Sequence, residues 1–202
     1  RDGQQLGATG VLNTSWDDDG EAIFNQTWYG ILFGAAAGWQ KGEASIEDFR
    51  KAFGLQFHGD ASGRIDEAQQ KLTDAHVLLA KAGLGEATNE LYWVDPYHPE
   101  GQLLAEKMRI VSREYRVLVE QAMVLIAQAR EDKLREPAAL DAMEMGARRM
   151  DFIGMKFQLA DEIVRLYAQA TDPAATEPPG RYLDEISSRI NGRTQDIRDG
   201  YV

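Results

Sequence analysis

Apolar positions fall at helical spacing along most of the chain, and the longest run is the clearest. Leu104, Met108, Val111, Tyr115, Leu118, Ala122, Leu125 and Ala129 step by four and three in alternation, which puts them on one seam of one long helix. Leu103, Ile110, Val117, Val119, Val124 and Ile126 flank that seam and widen it, as suits a central bundle helix with several neighbours. Met143, Ala147, Met150, Gly154, Phe157, Ala160, Val164 and Tyr167 continue the spacing to about Ala170, behind a Pro137 that fits a first helical turn. Ile65, Ala68, Leu72, Ala75, Leu79 and Ala82 define another helix, stopped by Gly83. Leu183, Ile186, Ile190, Ile197 and Tyr201 mark a last one after the Asp172-Pro173 and Pro178-Pro179-Gly180 linker. Ser45 can cap a short helix through Phe53, with Asp48 at the third position. Gly54 to Gly63 reads as a connector and Leu84 to Gly101 as a loop-rich segment. The pattern predicts an all-α, up-and-down helical bundle over residues 43–202.

Residues 1–42 follow a different rule. Thr9 to Trp16 is rich in β-branched and apolar residues without a helical stripe, and reads as one short buried strand. Asp17-Asp18-Asp19-Gly20 breaks it as turn residues do. Glu21 then opens a helical run through Phe24, Trp28, Ile31, Leu32 and Ala35 to Trp39. Gly30, Gly34 and Gly38 recur every fourth residue on one face. Each costs about 1 kcal/mol relative to Ala, so three in register point to a face that a neighbouring backbone approaches closely. The run from Trp28 to Trp39 is too short to span a membrane.

Charge and composition narrow the function. The chain has 202 residues, 22 Lys and Arg against 33 Asp and Glu, and a net charge of −11, which disfavours a nucleic-acid partner. With no cysteine, disulfides, thiol nucleophiles and thiolate metal sites are excluded. The chain opens Arg1-Asp2-Gly3 without an initiator Met or signal peptide, and stops at Tyr201-Val202 inside a helical pattern. Both ends read as cut, so a fragment of a longer protein is expected, with any targeting signal upstream.

The sharpest candidate chemistry is Leu12 to Glu21. A strand ending in Trp16 and carboxylates, then turning into a helix, is a βα unit with polar groups at the strand's carboxyl end, where barrel enzymes place their sites. An indole face packs on the C–H face of a pyranose, and carboxylates accept its hydroxyl hydrogens. The same residues also fit a solvated acidic turn capping a helix. A calcium loop does not fit: Gly20 at the sixth position would need ligands at Ser15 and Gln26. Asp66-Glu67, Asp161-Glu162 and Asp184-Glu185 lie on amphipathic helices and read as solvated faces. His58, His76 and His98 lack ligand spacing. Gly83 to Thr88 is a helix stop rather than a dinucleotide loop. The sequons at Asn13 and Asn25 fall in a predicted strand and a predicted helix, and read as chance matches. Tyr92 to Pro99 fits a sugar platform or a contact surface, but reads rather as an aromatic loop packed on the bundle end.

Gly10 to Glu21, followed by Trp28-Tyr29-Gly30 and Ala35-Ala36-Ala37-Gly38-Trp39, resembles the last βα unit of the catalytic barrel of family 20 glycoside hydrolases, the β-N-acetylhexosaminidases. The stretch covered is Gly7 to Gln40. The helices that follow resemble the helical C-terminal region that some bacterial members append. By this resemblance Trp16 walls the pocket for a terminal N-acetylhexosamine, and Asp18, where the family usually has Glu, or its neighbour Asp17 binds the sugar hydroxyls. It implies a parent that releases terminal N-acetylhexosamine from glycans by substrate-assisted, retaining hydrolysis, without cofactor or metal, in the periplasm or outside the cell. The catalytic Asp-Glu pair would lie upstream, so this chain would carry no catalytic residue and be inactive alone. The alternative is a non-enzymatic helical interaction or dimerisation module. The fragment is expected to self-associate as a homodimer, partly through surface that the parent buries: the loop Tyr92 to Tyr97 and the face of Gly30, Gly34 and Gly38.

Overall fold

Each long apolar seam becomes a helix. The computed structural model describes residues 1–16, 23–84 and 87–201. Among these are eight α-helices and no strand: α1 Asp2–Gln5, α2 Trp28–Trp39, α3 Ile46–Phe53, α4 Arg64–Lys81, α5 Ala87–Trp93, α6 Pro99–Arg130, α7 Pro137–Thr171 and α8 Pro179–Tyr201. The all-α reading of residues 43–202 holds. Among the described residues, no helix is long and apolar enough to cross a membrane.

The chain forms two compact units, one of Arg1–Leu72 with Gln121–Ala147 and one of Thr73–Glu120 with Arg148–Val202. In the first, Phe53, Ile65, Ala68 and Leu72 are buried, as are Ala122, Ile126, Ala129, Leu140, Met143 and Ala147. An aromatic ladder holds α2 to α3: Tyr29 stands edge-on to Phe49 and Phe53 at 5.2 and 5.0 Å, and Phe33 edge-on to Phe49 at 5.1 Å. Such pairs add about 0.5–1.5 kcal/mol each beyond area burial. Ser45 caps α3 as its sequence predicts, its Oγ accepting the Asp48 amide at 3.1 Å.

In the second unit Leu79, Leu84, Leu91, Met108, Tyr115, Val119 and Ile153 are fully or almost fully buried. Burial of an aliphatic side chain of this size contributes about 1.5–3 kcal/mol. Helices α6 and α7 run antiparallel here, with Arg109 on Asp161 at 2.5 Å and Arg116 on Asp151 at 2.7 Å. Gly154 permits the close approach, because a Cβ there would strike the Arg116 side chain and come within 3.2 Å of the Tyr115 ring.

Four expectations change. The predicted buried strand at Thr9–Trp16 is an extended segment with no paired strand among the described residues, and it is exposed throughout. The helix expected from Glu21 starts at Trp28, after a 3₁₀ turn at Phe24–Gln26. That turn is fixed by the Thr27 hydroxyl on the Phe24 carbonyl at 2.6 Å and by the Trp28 indole N–H on Asn25 Oδ1 at 3.2 Å. Within the Gly54–Gly63 connector the first half continues α3 as a π-helical turn, Gly54–His58. The Arg135 guanidinium holds it, donating to the Leu55 and Gln56 carbonyls at 3.1 and 2.6 Å. The loop-rich segment contains α5, whose last carbonyls have a distant lysine as their partner.

Candidate functional site

The Val11–Trp16 segment runs antiparallel to α2. Asn13 Nδ2 donates to the Ile31 carbonyl at 2.9 Å. A Cβ on Gly34 would collide with the Asn13 side chain, and one on Gly38 would lie 2.6 Å from Val11 Cγ1. The glycine face therefore admits side chains rather than a backbone, and at two of its three positions: Gly30 faces open space. The contacts run 11 to 38 and 13 to 34, so the extended segment goes one way and the helix returns the other.

The apolar residues of this segment are bare. Val11 is 69% exposed, Leu12 87% and Trp16 81%. Trp16 stands at the carboxyl end, its indole N–H 3.2 Å from Thr14 Oγ1. Asp17 and Asp18, the expected hydroxyl acceptors, lie outside the described residues, as does Asp19.

The three Asp-Glu pairs are placed differently from one another. Asp66 takes a two-pronged contact from Arg50, at 3.0 and 3.1 Å. Asp161 is gripped by Arg109 and Arg165, at 2.5 and 3.2 Å. Glu185 pairs with Arg189 at 3.2 Å. Glu162 has one buried carboxylate oxygen without a hydrogen-bond partner. It lines a groove of about 380 Å³ between α7 and α8 with Arg165, Gln169, Glu185 and Arg189. Two carboxylates and two guanidinium groups make this groove a mixed-charge surface, suited to a zwitterionic or polar contact rather than to a proton-sharing carboxylate pair.

Two polar constellations escaped the sequence reading. Lys156 Nζ donates to the Leu91, Tyr92 and Val94 carbonyls at 2.6, 2.8 and 2.8 Å, satisfying the end of α5. Burial pulls its amine down to about 8, with Asp95 opposing, so at neutral pH it remains the ammonium that three acceptors require. The sequence clue is a lysine between Met155 and Phe157 on an otherwise apolar face. Arg116 is the second: it reaches Asp151, Gln158 and Glu120 at 2.7, 3.1 and 3.0 Å. The Tyr115 hydroxyl beneath it is buried without a partner, and burial, then the Asp151 charge, push its pKa far up. Both constellations hold helices together. His58 is buried and His76 exposed.

Comparison with family models, curated proteins and solved structures finds no match for this chain.

Proposed function

We propose that Gly7 to Gln40 is a βα unit belonging to a larger sheet or barrel, and that the parent is a glycosidase of the N-acetylhexosaminidase type. The observation that carries this reading is the extended segment itself. It alternates sides like a strand, packs antiparallel on its following helix through two glycines, and leaves Val11 and Leu12 bare at 69% and 87% exposure. An unpaired extended stretch that leaves apolar side chains bare is an exposed edge that proteins otherwise cover. Trp16 at its carboxyl end is where a barrel strand presents a site residue, and a bare indole followed in sequence by three aspartates suits a pyranose. The resemblance to family 20 supplies the sugar, a terminal N-acetylhexosamine, and the role of Asp17 or Asp18 as hydroxyl acceptor.

The test is an assay with a chromogenic N-acetylglucosaminide. The full-length protein encoding this segment hydrolyses it, and the 202-residue chain alone does not. Activity in the isolated chain, or none in the full-length protein, overturns the reading.

A further inference from the structure

Helix α6 carries a second apolar line besides its buried seam. Leu103, Ile110 and Val117 are spaced by seven and are 65%, 84% and 45% exposed. Seven residues are nearly two turns, so the three lie along one side of the helix with only a slow drift. Glu106 and Arg113 border this line on one flank, Lys107 and Glu114 on the other, and all four are exposed. Among the described residues Glu106, Arg113 and Glu114 have no ion-pair partner, and the Lys107 ammonium meets only the Gly83 carbonyl, at 2.8 Å. Single exposed apolar residues are ordinary, but three in register on one rigid helix, edged by unpaired charges of both signs, form a patterned surface.

We propose that this face of α6 is a homodimer interface, packing antiparallel on the same face of a second copy about a two-fold axis at Ile110. Charge decides both occupant and register. A two-fold axis perpendicular to the helix pair sets Ile110 against itself and Leu103 against Val117 of the second copy. On one flank it opposes Glu106 to Arg113, and on the other Lys107 to Glu114, each twice. All four flanking pairs are of opposite charge, as in self-complementary coiled coils. Sliding one heptad pairs Leu103 with Val124, but opposes Arg113 to Arg113, Glu114 to Glu114 and Glu106 to Glu120. That register is repelled by the chain's own charges. A parallel pairing also matches the flanks but aligns the two helix dipoles, which the antiparallel one opposes.

Sedimentation of the 202-residue chain at micromolar concentration, joined to cysteine cross-linking, tests this; the chain has no native cysteine to interfere. The wild type sediments as a dimer. Ile110→Asp weakens association by roughly tenfold or more while its circular dichroism stays unchanged, since the side chain is exposed. Glu106→Arg weakens the dimer and the double variant Glu106→Arg/Arg113→Glu restores it. Ile110→Cys forms an intermolecular disulfide; Leu103→Cys alone does not, and Leu103→Cys/Val117→Cys does. A monomeric wild type, an Ile110→Asp variant that stays dimeric, or cross-linking of Leu103→Cys alone overturns the proposal.

Discussion

His58 sits where an imidazolium is disfavoured. It is 1% exposed, packed edge-on to Phe53 and Phe57, with Nδ1 3.3 Å from the Arg135 carbonyl and the Arg135 guanidinium close by. Burial holds its pKa below the ordinary 6.5, more than the carbonyl contact and the nearby Asp60 and Glu136 raise it. The unfolded chain therefore takes up a proton below about 6.5 that the folded chain resists, so stability falls as pH drops through and below that value and is flat above it. Asp60 acts lower on the scale. Burial pushes its carboxyl up, but donors from Ser62, Ile65 and Gly63 outweigh this and hold its pKa below 3.8, so its contribution is lost only in acid beneath that value. Melting temperature should decline between pH 7 and 5; His76, also held below 6.5 by desolvation, acts in the same window, so His58→Gln should remove part of the decline and His58→Gln/His76→Gln most of it, and an unchanged slope in the double variant would assign the proton to another group. Lys156→Met should cost about 1–3 kcal/mol in urea denaturation, the usual result of leaving buried carbonyls without a donor. A loss below 0.5 kcal/mol would mean that water serves α5 equally well.

At the scale of elements, the glycines of α2 separate propensity from contact. Gly30 faces open space, so Gly30→Ala should stabilise the helix by roughly 0.5–1 kcal/mol. Gly34→Ala has the same propensity gain, yet its Cβ would displace Asn13 and break the bond to the Ile31 carbonyl. It should speed proteolysis within residues 8–16, whereas Gly30→Ala should not. Equal protection in both variants would show that the segment does not depend on the helix.

What the sequence disclosed about these elements was whatever is locally encoded. The seams of α4, α6 and α7, the Ser45 cap and Pro137 at the start of α7 all follow from spacing within a few turns. The seam on α6 was read slightly off its true centre: Val119 and Ile126 are fully buried, and of its flanks Leu103, Ile110, Val117 and Val124 face out. Helix α5 was not legible, because its C-terminal carbonyls depend on a lysine more than sixty residues along the chain. The π-helical turn was not either, since it leans on Arg135. Of the candidate site, Trp16 is placed as a bare residue at a strand-like end. Its expected burial failed because strand burial needs neighbouring strands, and none is present among the described residues.

Among the apolar residues that helix packing leaves uncovered are the extended Val11–Trp16 segment and the outer line of α6. We propose that a sheet and a sugar site belong to the first, and another copy of the chain to the second. On this view the two tryptophans exposed around α2 have different fates in the parent. Trp16 becomes a pocket wall, while Trp39, 93% exposed at the far end of the helix, meets no sugar. The direct measurement is kcat/KM of the full-length protein for a chromogenic N-acetylglucosaminide with Trp16→Ala and Trp39→Ala side by side. Losing a stacking platform of about 1–3 kcal/mol should lower kcat/KM roughly tenfold to a hundredfold for Trp16→Ala and leave Trp39→Ala at the wild-type value. Wild-type kinetics in both variants would contradict a sugar site at the end of this segment.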